Sequence, residues 1–340
     1  MEWVASSRRN GGRATPRGEC FRKTETGVAK HAIPALAGAV LASLMVLPAG
    51  AQETAYPVTI KNGPYTFTVE EPPQRAVSIG MQQTEMLLAL GLADRMVGWV
   101  SFQQVVAENE ELERIPSLGN SSPSLEVLLG VEADFALANN GAYAQIASRE
   151  ALAEYGIIPM VPSSDSAANT TIDTVYDDLR NLGVIFDVQP RAQEGIAQMQ
   201  GEIAEVQTAV SQVAEPVRVF LHDGGTETVL TSGKALATNL IALAGGTNIF
   251  ADADNNWVSV SLEEVVARDP EVIIILDPYG ATTAEEKIAF LESNPAFSSV
   301  SAVQNGRYVI VALAALEAGV RNADAVRHMA EGFYPELFQN

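Results

Sequence analysis

Cysteine is almost missing from this chain: of 340 residues, only Cys20 carries a thiol. One cysteine excludes an internal disulfide framework, so the core must stabilise the fold alone. Histidine is nearly as scarce, at three residues, and only His222 and His328 lie beyond the first tenth of the sequence. That is too few for a zinc or manganese site built from imidazoles and carboxylates, so no resident metal or cofactor is expected. Basic residues are outnumbered two to one, 21 against 42, for a net charge of −21. Such a surface repels nucleic acid and anionic membrane, and it disfavours strongly anionic ligands unless arginines or lysines converge locally. Nucleophile elbows, phosphate-binding loops and dinucleotide fingerprints are lacking too. Asp223-Gly224-Gly225 and Gly245-Gly246 read as turns. No catalytic residues are expected.

Long apolar runs are also wanting. The longest, residues 33–47, is too short for a comfortable membrane span. It follows a polar, basic stretch over 1–30 and precedes Pro48-Ala49-Gly50-Ala51, which is the order of a cleavable signal peptide over 1–51. Cys20 comes before the apolar stretch rather than at the cut, so the exported protein is expected in the periplasm and not as a lipoprotein. Cleavage would remove seven basic and three acidic residues and leave 14 against 39, a net charge of −25.

What the chain does have is a repeat. Ser124-Leu125-Glu126-Val127-Leu128 leads into Phe135–Ala138, and Ser261-Leu262-Glu263-Glu264-Val265 leads into Val272–Leu276, at a constant offset of 137 residues. Each copy reads as a short helix with a serine at its cap, a break, and a buried strand. A repeat at half-chain distance implies two similar lobes rather than a solenoid. In each copy a glutamate falls in the first helical turn, where the macrodipole favours an anion.

Strand and helix signals alternate around these copies. Pro57–Val69 reads as an edge hairpin turning at Asn62-Gly63-Pro64. Strands follow at Val77–Ile79, Val97–Val100, Phe135–Ala138 and Ile157–Val161, with helices at Thr84–Leu90 and over 148–155. After Pro216 come strands at Val217–Leu221, Val272–Leu276 and Tyr308–Val311, helices at Ala235–Leu243 and Ala284–Glu292, and a last helix from Asn322. Between these halves Ile196, Met199, Ile203, Val206, Val210 and Val213 recur at spacings of three and four, the stripe of one long amphipathic helix. The fold class is therefore α/β: two Rossmann-like lobes with parallel sheets joined by a single long backbone helix. The boundaries read as 1–51 signal peptide, 52–186 first lobe, 187–214 linking helix and 215–340 second lobe. A single helical link restricts the lobes to small relative motions.

The chain resembles the helical-backbone class of substrate-binding proteins that feed bacterial ABC importers of iron–siderophore complexes, cobalamin and haem. The resemblance is carried by Pro73-Gln74-Arg75-Ala76-Val77-Ser78, Thr84-Glu85-Met86-Leu87-Leu88-Ala89-Leu90-Gly91, Ser124-Leu125-Glu126, Ala244-Gly245-Gly246-Thr247-Asn248-Ile249-Phe250, Val265-Val266-Ala267-Arg268-Asp269-Pro270 and Gly319-Val320-Arg321-Asn322-Ala323-Asp324-Ala325. It implies that Glu126 and Glu263, one per lobe, pair with arginines on a dimeric permease that works with an ATPase. It also implies a monomeric binding protein with its ligand between the lobes, outside the carboxyl ends of the strands.

Residues directly after each strand are the candidates for that crevice. These are Met81, Gln82, Phe102, Asn139, Asn140 and Tyr143 in the first lobe, and His222, Trp257, Tyr279 and Arg321 in the second. Trp257 stands out, because an indole beside the Asp/Asn-rich loop Asp252–Asn256 suggests a stacking surface. Arg321 could meet an anionic ligand group or pair with Asp324. Tyr143, Tyr279 and His222 are the side chains that could serve haem as an axial ligand. The scarcity of cations points to a ferric hydroxamate-type siderophore, with cobalamin or haem as alternatives and a secreted α/β enzyme as the alternative of another class.

Overall fold

The structure is a computed structural model that describes residues 53–102, 110–163, 170–224, 228–277 and 282–339. The expected signal peptide and Tyr279 lie outside these residues. Ala49–Asn340 form one compact unit. Among the described residues no helix is long and apolar enough to cross a membrane.

The first lobe begins with the hairpin β1 (Val58–Asn62) and β2 (Tyr65–Val69), whose two-residue turn contains Gly63 at positive φ. Then follow β3 (Ala76–Ile79), α1 (Met81–Ala89), β4 (Met96–Val100), α2 (Leu125–Gly130), β5 (Phe135–Ala138), α3 (Asn140–Ile146), α4 (Arg149–Glu154), β6 (Ile158–Met160) and α5 (Ile172–Phe186). Helix α6 (Gln189–Val210) leads to the second lobe. That lobe contains β7 (Val217–His222), β8 (Thr228–Ser232), α7 (Leu236–Leu243), β9 (Gly246–Asn248), β10 (Trp257–Ser261), α8 (Leu262–Arg268), β11 (Val272–Asp277), α9 (Ala284–Ser293), α10 (Ser301–Gln304), β12 (Tyr308–Ala312), α11 (Leu313–Leu316) and α12 (Asn322–Phe333).

The repeat in the sequence reappears as a repeat in topology. The first sheet runs β4-β3-β5-β6 and the second β9-β7-β11-β12, all parallel. Numbered within each lobe, both orders are 2-1-3-4. The third strands, β5 and β11, start 137 residues apart, the offset of the sequence repeat. Every residue of β5 and all but the last of β11 are buried, as expected for parallel strands covered on both faces.

Strand alternation divides the interior into three. Phe135 and Leu137 on β5 and Val272, Ile274 and Leu276 on β11 face one core shared by both lobes. Ile196, Met199, Ile203 and Val206 of α6 enter the same core, together with α5 and α12 residues such as Leu182, Phe186, Val326 and Met329. The intervening residues, Ala136 and Ala138 or Ile273 and Ile275, face two private cores, one per lobe. Helix α2 closes the first private core with Leu128, and α8 closes the second with Val265.

Several elements differ from the sequence expectation. Helix α1 starts at Met81 rather than Thr84, because Gly80 at φ 117° turns the chain directly off β3 and its carbonyl accepts from Thr84 Oγ1 at 2.9 Å. Helices α3 and α5 and the antiparallel ribbon β8/β10 were not expected at all. Helix α5 packs against α6, so the link between the lobes is a helical layer and not a lone rod. Ser261 accepts from Glu264 N at 3.2 Å as a true cap, whereas Ser124 occupies the same position without capping a backbone N–H.

Candidate functional site

In both sheets the strand order reverses beside the first strand, so the switch points lie between β3 and β5 and between β7 and β11. Open parallel sheets bind ligands outside the carboxyl ends of their strands at such points. At the β3 end, Met81, Gln82 and Gln83 form the buried first turn of α1. The Oε1 of Gln83 is buried without a hydrogen-bond partner, beside Gly80, whose φ of 117° is one that residues with a side chain rarely adopt. A buried amide oxygen left unpaired is costly unless something else meets it. Gln83 was not singled out from the sequence, where nothing distinguishes it from its neighbour Gln82.

The lobes are tied at this place. Gln82 Nε2 donates to a carboxylate oxygen of Glu317, and Arg321 pairs with Glu85 of α1. Arg321 thus meets a carboxylate of the other lobe, 236 positions away, and not its near neighbour Asp324. Glu317 also lines a cavity of about 240 Å³, with Thr170, Asn256 and Trp257 among the other walls. Trp257 starts β10 opposite Ser232 and remains 38 % exposed. Its loop is held by backbone contact: Gly233 N donates to Asn256 O at 2.9 Å, and a Cβ on Gly233 would come within 2.2 Å of Asn255 O. Lys234 adds an ion pair to Asp254 at 2.6 Å. A larger cavity, about 330 Å³, lies at the amino ends of β5 and β6 among Glu70, Glu71 and Asp134. That is the far end of the first sheet from its switch point, whereas the smaller cavity lies at the carboxyl side.

The remaining expected residues separate into wall and interior. Phe102 and Asn140 are exposed at the ends of β4 and β5, while Asn139 caps α3 by accepting from Ala142 N at 2.8 Å. Tyr143 is buried, and its hydroxyl faces Ala136 O at 2.5 Å and Met160 O at 3.2 Å. Burial raises its pKa far above the ordinary phenol value. It is therefore bound up in the lobe interior. His222 is also buried, stacked on Phe220 with ring centroids 5.8 Å apart. Burial, with Lys287 nearby, pushes its pKa down to about 4, and its Nδ1 has no partner. Lys287 is itself buried and donates to the carbonyls of Asp223 and Leu276, closing the carboxyl ends of β7 and β11. Among the described residues no group of three His, Cys, Asp or Glu side chains converges as metal ligands.

Among the described residues, the cations near the smaller cavity are paired. Arg321 is taken by Glu85, Lys234 by Asp254, and Glu317 contributes one further carboxylate. Glu126 and Glu263 lie elsewhere, exposed in the first turns of α2 and α8. A crossover helix runs antiparallel to its strands, so both amino termini lie on the crevice side of their sheets. Hydrogen bonds from Ser124 and from its own backbone hold the Glu126 carboxyl below the usual carboxylate range.

Comparison with known proteins agrees with this architecture. The family described as periplasmic binding protein matches residues 77–312. A vitamin B12-binding protein of Yersinia pestis is 28% identical over 243 residues, which is 72% of this chain and 76% of that protein. A periplasmic binding protein of Veillonella parvula superposes with a TM-score of 0.75 at 27% identity, over 82% of this chain and 97% of that one. The structure titled as an ABC-type Fe3+-hydroxamate transport system of Saccharomonospora viridis gives 0.69 at 27% identity, over 82% and 99%.

Proposed function

Since the chain belongs to the periplasmic binding protein family and is a solute-binding protein rather than an enzyme, we propose that its cargo is an uncharged or weakly charged metal chelate whose metal is already fully coordinated. The observation that carries this reading is the cross-lobe pair of Arg321 and Glu85, which neutralises the cation best placed to attract an anion. A ligand there meets amides, an indole and the Glu317 carboxylate, which itself accepts from Gln82, a wall suited to polar, neutral molecules. The burial of Tyr143 and His222 inside their lobes supports a cargo other than haem.

A corrinoid is the first such chelate, because it is neutral, amide-rich and the ligand in the names of the curated relatives. A ferric hydroxamate is the second reading, favoured by the Saccharomonospora structure. Trp257, Gln82, Gln83, Phe102 and Asn140 form the contact surface. Glu126 and Glu263 dock the loaded protein on the permease of an ABC importer, and the family implies a periplasmic location.

Equilibrium titration with cyanocobalamin, a ferric trihydroxamate, a ferric tris-catecholate and hemin tests the reading through tryptophan fluorescence. We expect quenching by one of the first two, abolished in Trp257→Phe. Tight binding of the catecholate or of hemin alone would refute it. Charge reversal at both Glu126 and Glu263 should stop uptake and leave ligand binding unchanged.

A further inference from the structure

Helices α2 and α8 occupy the same place in two lobes of the same topology, yet their outer surfaces are unlike. At the constant offset, Leu125 corresponds to Leu262, Glu126 to Glu263 and Leu128 to Val265. The next positions differ in charge or exposure. Val127 stands where the second lobe has Glu264 and Val131 where it has Arg268, while Leu129 is exposed where its apolar counterpart Val266 is half-buried against the private core. Val127 and Leu129 are each 38 % exposed, and they are two of the eight large apolar side chains shown to solvent among the described residues. On α8 the corresponding surface is charged. Arg268 pairs with Glu264 at 2.8 Å and with Asp252 at 2.7 Å, and its guanidinium covers the Phe250 ring at 4.4 Å. The second lobe covers Phe250 with an ion-paired arginine, and the first leaves Val127 and Leu129 open.

Folding does not account for the open pair. Helix α2 has six residues, of which Leu128 alone is buried. A polar residue at 127 would serve the private core equally well, as Glu264 does on α8, and the core does not cover Leu129 as it half-covers Val266. Exposed apolar side chains grouped around a charge mark an interaction site more often than chance placement does.

Glu126, between the two, says what kind of partner fits. No ion pair involves Glu126 or Glu263 among the described residues. Apolar groups closing over Glu126 would bury its carboxylate, which is unfavourable unless a cation arrives with them. A second copy of this chain related by a two-fold axis would set Glu126 against Glu126 and is disfavoured. A lipid surface offers anionic headgroups to a chain of net charge −21 and is disfavoured as well. A protein surface that presents an arginine or lysine ringed by apolar side chains satisfies both features.

We propose that Val127 and Leu129 form an apolar anchor for one subunit of the permease, whereas the α8 foot meets the other subunit through charge alone. This rests on the docking role given above to Glu126 and Glu263. A partner with two equivalent subunits is then held by two unlike feet. Apolar burial at the centre of an interface acts on the dissociation rate, and rim charges act on association. The first-lobe foot therefore sets the lifetime of the complex, and the second-lobe foot sets its rate of formation.

The test measures association and dissociation of the whole protein on the permease–ATPase complex in nanodiscs. The Val127→Ser/Leu129→Ser double variant should dissociate roughly tenfold faster with little change in association. Glu264→Gln should alter association at low salt and leave dissociation within about twofold. Thermal unfolding of both variants within a few degrees of the parent separates docking from misfolding. Equal dissociation rates for the parent and the double variant would overturn the proposal, as would an equal acceleration by Glu264→Gln. So would a dimer of the free protein, seen by sedimentation, that the double variant abolishes. If the unaltered protein does not bind the complex at all, the importer reading falls and takes this proposal with it. If it binds and the double variant binds as long, the proposal falls alone.

Discussion

Replacing Glu85 by glutamine should convert this crevice from one that ignores anions to one that admits them. The Glu85 side chain is 19 % exposed and that of Arg321 is 35 %, so the pair is screened but not fully wet. Breaking such a pair costs about 1 kcal/mol of stability, at the upper end for solvent-touched pairs. Glutamine keeps the shape and one acceptor, so the unfolding midpoint should fall by only about 2 °C. The guanidinium, however, is left without a counter-charge. An anionic group about 6 Å away then gains about 3 kcal/mol gross at an effective dielectric near 20. Desolvation and counter-ions take back much of this, which leaves roughly a tenfold gain in affinity. The assay is a pair of fluorescence titrations, one with a neutral ferric trihydroxamate and one with a trianionic ferric tris-catecholate. Glu85→Gln should leave the first within about threefold and strengthen the second about tenfold at low salt, with the gain fading as ionic strength rises. Equal shifts for both chelates, or a gain indifferent to salt, would show that the pair does not set ligand charge.

Two other substitutions probe the side chains that fell inside the lobes. Tyr143→Phe leaves the Ala136 and Met160 carbonyls without their hydroxyl partner. It should cost about 1–3 kcal/mol in urea denaturation, with ligand affinity unchanged; weakened binding at full stability would return Tyr143 to the crevice wall. His222 has its pKa lowered to about 4 in the folded protein, so between pH 6.5 and 4 the unfolded chain takes up a proton that the folded one refuses. Stability is unaffected above pH 6.5 and falls as the pH drops through this window, by on the order of 3 kcal/mol at its lower end. His222→Phe should lose less between pH 7 and pH 4.5, and equal losses would place the acid sensitivity elsewhere.

The parts of the fold that could be read in advance are those whose cause is local. Phe135–Ala138 and Val272–Leu276 are buried on both faces, so each appears as an uninterrupted apolar run with a glutamate-bearing helix before it. The α6 stripe is equally local, and Ile196, Met199, Ile203 and Val206 are all buried. Helix α5 carried a comparable stripe at Ile172, Val175, Tyr176, Leu179 and Leu182 and could have been read by the same rule. What no spacing reveals is which distant carbonyl or carboxylate meets a polar side chain. Arg321 had Asp324 close at hand and found Glu85 instead, and Tyr143 met the carbonyls of two strands that only the finished sheet brings together. Positions after strands were legible, but what each side chain is tied to was not, because the partners lie anywhere from 7 positions away for Tyr143 to 236 for Arg321.

The shared core has a consequence for how the lobes can move. Residues of both sheets, Leu137 on β5 and Ile274 on β11, belong to one apolar cluster with Ile196 and Val206 of α6 and Val326 of α12. Wide separation of the lobes would have to expose part of that cluster. Uncovering even about 200 Å² of apolar surface costs about 5 kcal/mol, which is comparable to the whole binding energy of a weakly held ligand. The cross-lobe ties of Gln82 to Glu317 and of Arg321 to Glu85 add to the cost. With the ligand at the proposed site, entry is expected by local movement around Trp257 and the α1 turn, and not by a clam-shell swing. X-ray scattering should show a radius of gyration near 19 Å with and without saturating chelate, changed by less than about 0.5 Å. A contraction of several ångströms on binding would mean that the core is not continuous in solution and that the helical layer acts as a hinge.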